Sequence, residues 1–254
     1  MEIRNPWEDL GEDELKERLA GVTLPVHVAV IMDGNGRWAH NRGWARIRGH
    51  QAGVKAVRAT VTTCRDLGIP YLTLYAFSSE NWQRPSAEVG ALMTLLANYL
   101  VGEREELLAR GIRLETIGRT DALPGHARRE LEKTMALTQG MDKLTLTLAL
   151  SYGGRAEIVD AVRSLLASGV TPDEVDEDAI ASRLYAPHHP DPDLLIRTSG
   201  EMRVSNFMLW QLAYTEIYVT EVLWPDFQPR HLYAALLDYA GRERRFGKVS
   251  PGGP

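Results

Sequence analysis

The stretch from Val26 to Trp38 reads VHVAVIMDGNGRW, and Val26 to Met32 is an almost continuous apolar, β-branched run. Such a run fits a strand buried on both faces of a parallel sheet. It stops at Asp33, and Gly34-Asn35-Gly36 then lets the backbone turn tightly and approach a ligand. Arg37 and Trp38 follow, then a basic segment from Arg42 to His50. A strand ending in an acid, a turn with free N–H groups and a set of guanidiniums are the parts needed to hold a metal-bound phosphate. Asp-Gly dipeptides also make ordinary turns. The second glycine, the strand before it and the arginines with His50 set this one apart. The pattern is neither G-x-G-x-x-G nor G-x-x-x-x-G-K-[ST].

Outward from this point, strand and helix patterns alternate. Residues 7–20 read as a short acidic amphipathic helix, and 52–67 as a helix closed by Gly68. A second strand covers 71–77 and leads into Ser78-Ser79-Glu80-Asn81-Trp82-Gln83-Arg84. One long helix is predicted over 86–110, with Ser86 as its cap. Strands at 112–117, 144–150, 194–197 and 217–222 alternate with helices at 124–139, 156–167, 207–213 and 229–245. The acidic run from Asp173 to Asp178 reads as a solvated helix start. His188-His189 sits in a loop, Pro187 to Pro192, with no further ligand at a metal-binding spacing. The expectation is a single α/β domain with a central, mainly parallel six-stranded sheet flanked by helices. Its parts are a lead-in over 1–25, a catalytic domain over 26–247 and a disordered tail over 248–254.

Net charge of −5 and a pI near 5.8 argue against nucleic-acid binding through bulk charge. Of the 29 basic residues 24 are arginine, whose planar fork suits phosphate, although genomic composition produces the same bias. Only the placement of arginines is therefore informative. A single cysteine, Cys64, allows no internal disulfide and fits a reducing compartment. The acidic N-terminus and the lack of any apolar run near ~18 residues predict a cytoplasmic protein, with peripheral contact at the inner membrane face at most.

In open parallel sheets, ligands bind beyond the carboxyl ends of the strands. The polar clusters DGNGR, SSENWQR, SYGGR and RTSGEMRVS all fall at that edge. They pool Arg37, Arg46, Arg84, Arg197 and Arg203 with His50, Ser78, Asn81 and Ser205, against few acids, chiefly Asp33, Glu80, Glu201 and Glu216. That balance suits a strongly anionic ligand and one divalent cation. Arg37 with Arg46, and Arg197 with Arg203, suggest two phosphate-bearing substrates, because unpaired desolvated guanidiniums repel. Apolar marks from Val89 to Tyr99 fit core packing, or in part the lining of a lipid channel.

These motifs resemble the cis-prenyltransferases of the undecaprenyl diphosphate synthase type. The likeness runs from Val26 to Gly247 through DGNGRWA, Arg46-x-x-Gly49-His50, YAFSSENWQRP, YGGR, LLIRTSGEMRVSNFMLWQLAYTEIY, WPDF and RERRFG. It implies condensation of isopentenyl diphosphate onto an allylic diphosphate, with farnesyl diphosphate as primer and an undecaprenyl or shorter cis product. It also implies Mg²⁺ as cofactor, a homodimer, and an apolar tunnel for the growing chain. By the resemblance, Asp33 and Glu216 engage Mg²⁺. Gly34, Asn35, Gly36, Arg37, Trp38, Arg46 and His50 cradle the allylic substrate. Ser78, Asn81, Trp82 and Arg84 form the loop of condensation and proton removal. Arg197, Arg203 and Ser205 take isopentenyl diphosphate, with Arg245 and Gly247 reaching into the partner's site. Two departures stand out: Met202 where some members have histidine, and Ser199 where others have glycine.

Two other readings meet obstacles. A phosphatase with Asp33 as nucleophile usually needs a second acid two residues on, where Asn35 stands. A non-catalytic binding subunit would have lost Asp33, the SSENWQR loop or the arginine pair, and all are present.

Overall fold

Val28 and Val30 turn to one face of the central sheet, and Ala29 and Ile31 to the other. Their strand, β1 (His27–Ile31), is buried throughout, as its apolar run predicts. The computed structural model describes Pro6, Trp7 and residues 10–242. α1 (Glu12–Arg18) precedes β1, and α2 (Asn35–His40) and α3 (Arg46–Asp66) follow it. Then come β2 (Tyr71–Ser78), a 3-10 turn at Ser79–Gln83, α4 (Ser86–Gly102), α5 (Arg104–Ala109) and β3 (Ile112–Ile117). α6 (Gly125–Thr138), β4 (Leu144–Tyr152), α7 (Gly154–Ala167), α8 (Glu177–Ala181), β5 (Leu194–Thr198), β6 (Glu216–Thr220) and α9 (Pro229–Ala240) complete the chain.

The six strands run parallel in the order β3-β4-β2-β1-β5-β6. The chain leaves β1 towards β2 on one side and returns to its other side with β5, so the strand order reverses at β1. A crevice opens at such a reversal, beyond the strands' carboxyl ends. The larger core cluster fills one face, with Leu72, Leu74, Leu114 and Leu146 fully or almost fully buried. Each such side chain contributes roughly 1.5–3 kcal/mol of burial. A smaller cluster around Tyr152 and Phe207 fills the other face.

Four local expectations are corrected. Asn35 begins a helix rather than continuing a turn, with Gly34 at φ 103° as the residue before it. The predicted helix over 86–110 breaks at Glu103. Gly102 weakens the helix there, and the buried Glu103 takes two hydrogen bonds from Arg58 Nε on α3, at 2.9 and 3.1 Å. No helix forms over 207–213, because Ser205, Asn206 and Met208 hold φ of 48°, 60° and 42°, outside the right-handed helical region. The last helix ends at Ala240, and the predicted continuation to Arg245 and the tail over 248–254 lie outside the described residues.

Candidate active site

Asp33 stands two residues past β1 with its backbone already fixed. Its carbonyl accepts from Thr198 Oγ1 at 2.7 Å and from Trp224 N–H at 3.0 Å. Its carboxylate accepts from Gly34 N–H at 2.7 Å through Oδ1 and from Arg197 Nη2 at 2.9 Å through Oδ2. Arg197, the penultimate residue of β5, is only 3% exposed and also donates to Ser205 Oγ at 2.8 Å and to the Arg203 carbonyl. The sequence-predicted residues Asp33, Arg197, Arg203 and Ser205 are thus brought together. Arg37 joins them, its Nη2 donating to Ser199 Oγ at 2.5 Å and to Glu201 Oε1 at 3.1 Å, and Glu201 also pairs with Arg203. Arg37 and Arg46 flank one depression with Asp33, Gly34 and Gly36, yet the hydrogen bonds of Arg37 run to the Arg203 side.

Gly34 is required where it is: besides its positive φ, a Cβ there would meet Leu223 Cδ2 at 2.9 Å. Ser199 explains the glycine expected at its position, since its own φ is 75° and an L-residue pays a steric penalty in that region.

A second group forms where α3 passes the start of α2. Arg46 Nε and Arg84 Nη1 share a single carboxylate oxygen, Glu88 Oε1, at 3.4 and 3.2 Å. His50 lies beside them. Burial, then Arg84 and Arg46, push its pKa down to about 4, so its imidazole is neutral near pH 7. Burial, then Arg46, also lower the pKa of Arg84. Gly53 allows the close packing, because a Cβ there would meet Trp224 at 2.8 Å. Three buried side-chain polar atoms at this edge have no hydrogen-bond partner among the described residues: Asn35 Oδ1, His50 Nε2 and Arg197 Nε. Unsatisfied buried groups are costly, and their gathering marks the place a polar ligand would fill.

Asn35, His50, Asn81 and Arg84 rim a pocket of about 190 Å³ whose body is apolar, running between α3 and α4 past Val54, Val57, Leu92 and Leu96 to Tyr99. Ser78 and Asn81 are coupled, Asn81 Oδ1 accepting from Ser78 N–H at 3.2 Å. Trp82 is fixed, donating to Ser151 Oγ at 2.9 Å and lying edge-on to Phe77.

Two expected residues have other partners within the chain. Trp38 Nε1 donates to Asp226 at 2.8 Å, Arg42 stacks over its ring, and the ring lies edge-on to Trp44, with centroids 5.6 Å apart. The nearby depression is lined by Trp44 instead, which is 53% exposed. Glu216 opens β6 opposite Leu194, whereas Asp33 lies beyond the other end of the sheet. Five strand positions separate their levels, about 16 Å. Glu216 pairs instead with Arg242 at 2.7 Å, so Asp33 and Glu216 of one chain cannot share an ion. Arg245 and Gly247 lie outside the described residues. Sequence reasoning missed Glu88 and named Glu201 only as one acid of the RTSGEMRVS cluster; the importance of both lies in which arginines they hold.

Residues 31–247 match the prenyltransferase family model described as "Putative undecaprenyl diphosphate synthase". Similar curated proteins include the isoprenyl transferase of Heliobacterium mobile, 53% identical over 242 residues, covering 94% of this chain and 93% of the relative. That of Geobacter sulfurreducens is 54% identical over 231 residues, covering 89% and 94%. Among solved structures, lavandulyl diphosphate synthase from Lavandula x intermedia, in complex with dimethylallyl diphosphate, superposes with a TM-score of 0.86 at 38% identity, covering 89% of this chain and 99% of that one. A probable undecaprenyl diphosphate synthase from Campylobacter jejuni gives 0.76 at 32% identity, covering 89% and 100%. With a family model matched over residues 31–247 and these relatives along nearly its whole length, this chain belongs to the undecaprenyl diphosphate synthase family of cis-prenyltransferases.

Proposed function

We propose that this prenyltransferase condenses isopentenyl diphosphate onto an allylic diphosphate, with farnesyl diphosphate as primer, to give undecaprenyl diphosphate for a cell-wall lipid carrier. The observation that carries the reading is the pocket's two-part character: a rim of His50, Asn35, Asn81 and Arg84 over an apolar body. Only an amphiphile with an anionic head and a hydrocarbon tail satisfies both parts.

Arg46, Arg84 and the neutral His50 bind the allylic diphosphate, while Val54, Val57, Leu92 and Leu96 take its chain and exclude water. Arg197, Arg203 and Ser205 hold isopentenyl diphosphate. The allylic C–O bond breaks, the isopentenyl double bond supplies the electrons for the new C–C bond, and one proton is lost to leave a cis alkene. Ser78 and Asn81 border the place where that proton departs. Most of the rate comes from positioning and charge stabilisation.

Mg²⁺ takes hard oxygen donors, commonly one or two carboxylates with phosphate oxygens and water. Asp33 fits this, being a partly exposed carboxylate fixed at its backbone and next to the arginine clusters. Bound there, the ion neutralises diphosphate charge. We place the enzyme in the cytoplasm as a homodimer in which Arg245 and Gly247 complete the partner's site, with transient membrane-surface contact for product release. Glu216 of one subunit joins a metal only across that dimer.

One observation favours a shorter product. Tyr99 lies 13 residues along α4 from Ser86, about 20 Å from the rim, and the Arg58–Glu103 pair follows a turn later. Tyr99 is the last residue of α4 to line the pocket, and the likeness to lavandulyl diphosphate synthase points the same way. Incubation with farnesyl diphosphate, labelled isopentenyl diphosphate and Mg²⁺, followed by chromatographic sizing, decides between the products. No elongated product from any allylic primer would defeat the proposal.

A further inference from the structure

On the face of the sheet opposite the substrate pocket, Glu115 of β3 meets the loop before β5. His188 Nε2 and His189 Nε2 lie 2.9 and 3.0 Å from the same oxygen, Glu115 Oε2. The three donor atoms all fall within 4.8 Å of one another. From this geometry we infer that Glu115, His188 and His189 form a second metal site, selective for a divalent transition cation such as zinc and separate from the catalytic edge.

The donor set decides the class of ion. Two imidazoles and one carboxylate suit Zn²⁺, Co²⁺ or Ni²⁺, whereas Mg²⁺ favours oxygen ligands alone. A tetrahedral zinc with bonds of about 2.0–2.1 Å holds its ligand atoms roughly 3.3 Å apart. The two short separations here lie a few tenths of an ångström below that. A small outward movement of His188, 60% exposed, would open the space. Its exposure also leaves the fourth position to water.

The surroundings are built to hold the donors. Arg113 Nη1 stands 3.6 Å from Glu115 Oε1, and its Nε donates to the Met141 carbonyl at 3.1 Å, which fixes the carboxylate and leaves Oε2 to the histidines. Such outer contacts orient metal ligands. The His189 ring is wedged between Tyr71, with centroids 5.1 Å apart, and His27, at 6.2 Å.

An ion here would fasten the loop to the edge strand β3. That same loop continues to Asp193, whose carboxylate accepts from the N–H groups of Val26 and His27 at 2.7 and 3.1 Å. The staple would therefore span from the outermost strand to the start of β1, and binding to the folded state alone would raise its melting temperature.

The test uses the untagged full chain with ZnCl₂ or CoCl₂ as the only added metal. Equilibrium dialysis should give one zinc per chain with a micromolar or tighter dissociation constant. Cobalt should produce visible d–d absorption, and melting should rise with zinc. Asp33→Ala should bind the second-site ion unchanged. His188→Ala, at an exposed position, should lose affinity by more than about tenfold while keeping its metal-free melting temperature, and Glu115→Gln should do the same. Absence of zinc binding at these concentrations overturns the assignment. So does binding that survives both His188→Ala and Glu115→Gln, or that vanishes in Asp33→Ala, which would place the ion at the catalytic carboxylate. None of these readouts depends on the prenyl reaction, so failure here and failure of the proposed activity are distinguishable.

Discussion

His27 and His50 stand near opposite ends of the same strand, and burial is the first cause that pushes each down to about 4. At the amino end of the sheet, His27 is 0% exposed and fully bonded. Its Nδ1–H donates to the Pro190 carbonyl at 2.7 Å, which leaves Nε2 to accept from Thr73 Oγ1 at 2.8 Å. At the carboxyl end, His50 Nε2 has no partner among the described residues. One histidine completes the scaffold, and the other waits on a ligand. The same contrast extends to the neighbours: Asp193 seals the start of β1, whereas Asn35 Oδ1 and Arg197 Nε beyond its end are left unsatisfied.

The comparison is broken most directly at Asp33. Asp33→Ala should lower turnover by at least about a hundredfold, the usual cost of removing one preorganised charge contact in an active site. Thermal melting should stay cooperative, because Thr198 and Trp224 still hold the Asp33 carbonyl, but at a lower temperature, because the buried Arg197 loses its carboxylate partner. Single-turnover kinetics beside a melting curve measure both. Near-normal turnover would remove the carboxylate from the chemistry.

The histidines should then separate stability from activity. His27→Ala strands the Thr73 hydroxyl and the Pro190 carbonyl and empties core volume, so unfolding should become easier by roughly 2–4 kcal/mol with little change in KM. His50→Ala removes an unpartnered atom and should change stability far less, but should raise the allylic KM about tenfold, as loss of a charge-assisted contact predicts. Urea denaturation and steady-state kinetics on both variants suffice. The opposite pattern would mean that the two ends are not distinguished in this way.

Acid acts on both histidines in the same direction, and it tests the scaffold one directly. The folded pKa of His27 is depressed from 6.5 to about 4, so between those values the unfolded chain binds the proton first. Its contribution is complete above pH 6.5 and falls as pH drops towards 4, by on the order of 3 kcal/mol at the limit. His27→Gln should flatten the wild-type slope of unfolding free energy across this window. An unchanged slope would assign acid sensitivity to other groups.

How much of this was legible in the residues depends on the range of the interaction. Ile112–Ile117 matches its predicted bounds, and β1 and β5 fall within one residue of theirs, because apolar β-branched runs are local signals. The edge of the sheet that holds Asp33, Arg197, Arg203 and Ser205 was legible for the same reason, since each cluster ends a strand. The partner of Trp38 was not legible, because Asp226 lies 188 positions away. The helix break at Glu103 depends on Arg58, and the sharing of Glu88 depends on two helices meeting. The non-helical turn at 205–208 rests on positive φ angles in Ser, Asn and Met, types that leave no glycine to announce them.

The smallest expected effect concerns Ser199, where strain and hydrogen bonding coincide at the carboxyl end. Its φ of 75° costs an L-residue about 1 kcal/mol or more, while its hydroxyl accepts from Arg37 Nη2 at 2.5 Å. Ser199→Gly relieves the backbone but loses that bond and gains freedom in the unfolded chain. The three contributions are similar in size and differ in sign, so stability should move by less than about 1 kcal/mol. Ser199→Ala keeps the strained backbone and also loses the bond, so it should be less stable than Ser199→Gly only by the excess of strain over glycine's unfolded-state freedom, about 0.5 kcal/mol. Both variants free Arg37 equally, so their KM values should shift together, by a few-fold at most, because Glu201 still holds the guanidinium. Denaturation and kinetics on the pair separate the two causes. Equal stability of the glycine and alanine variants would mean that the backbone strain at this position is no larger than the freedom glycine gains in the unfolded chain.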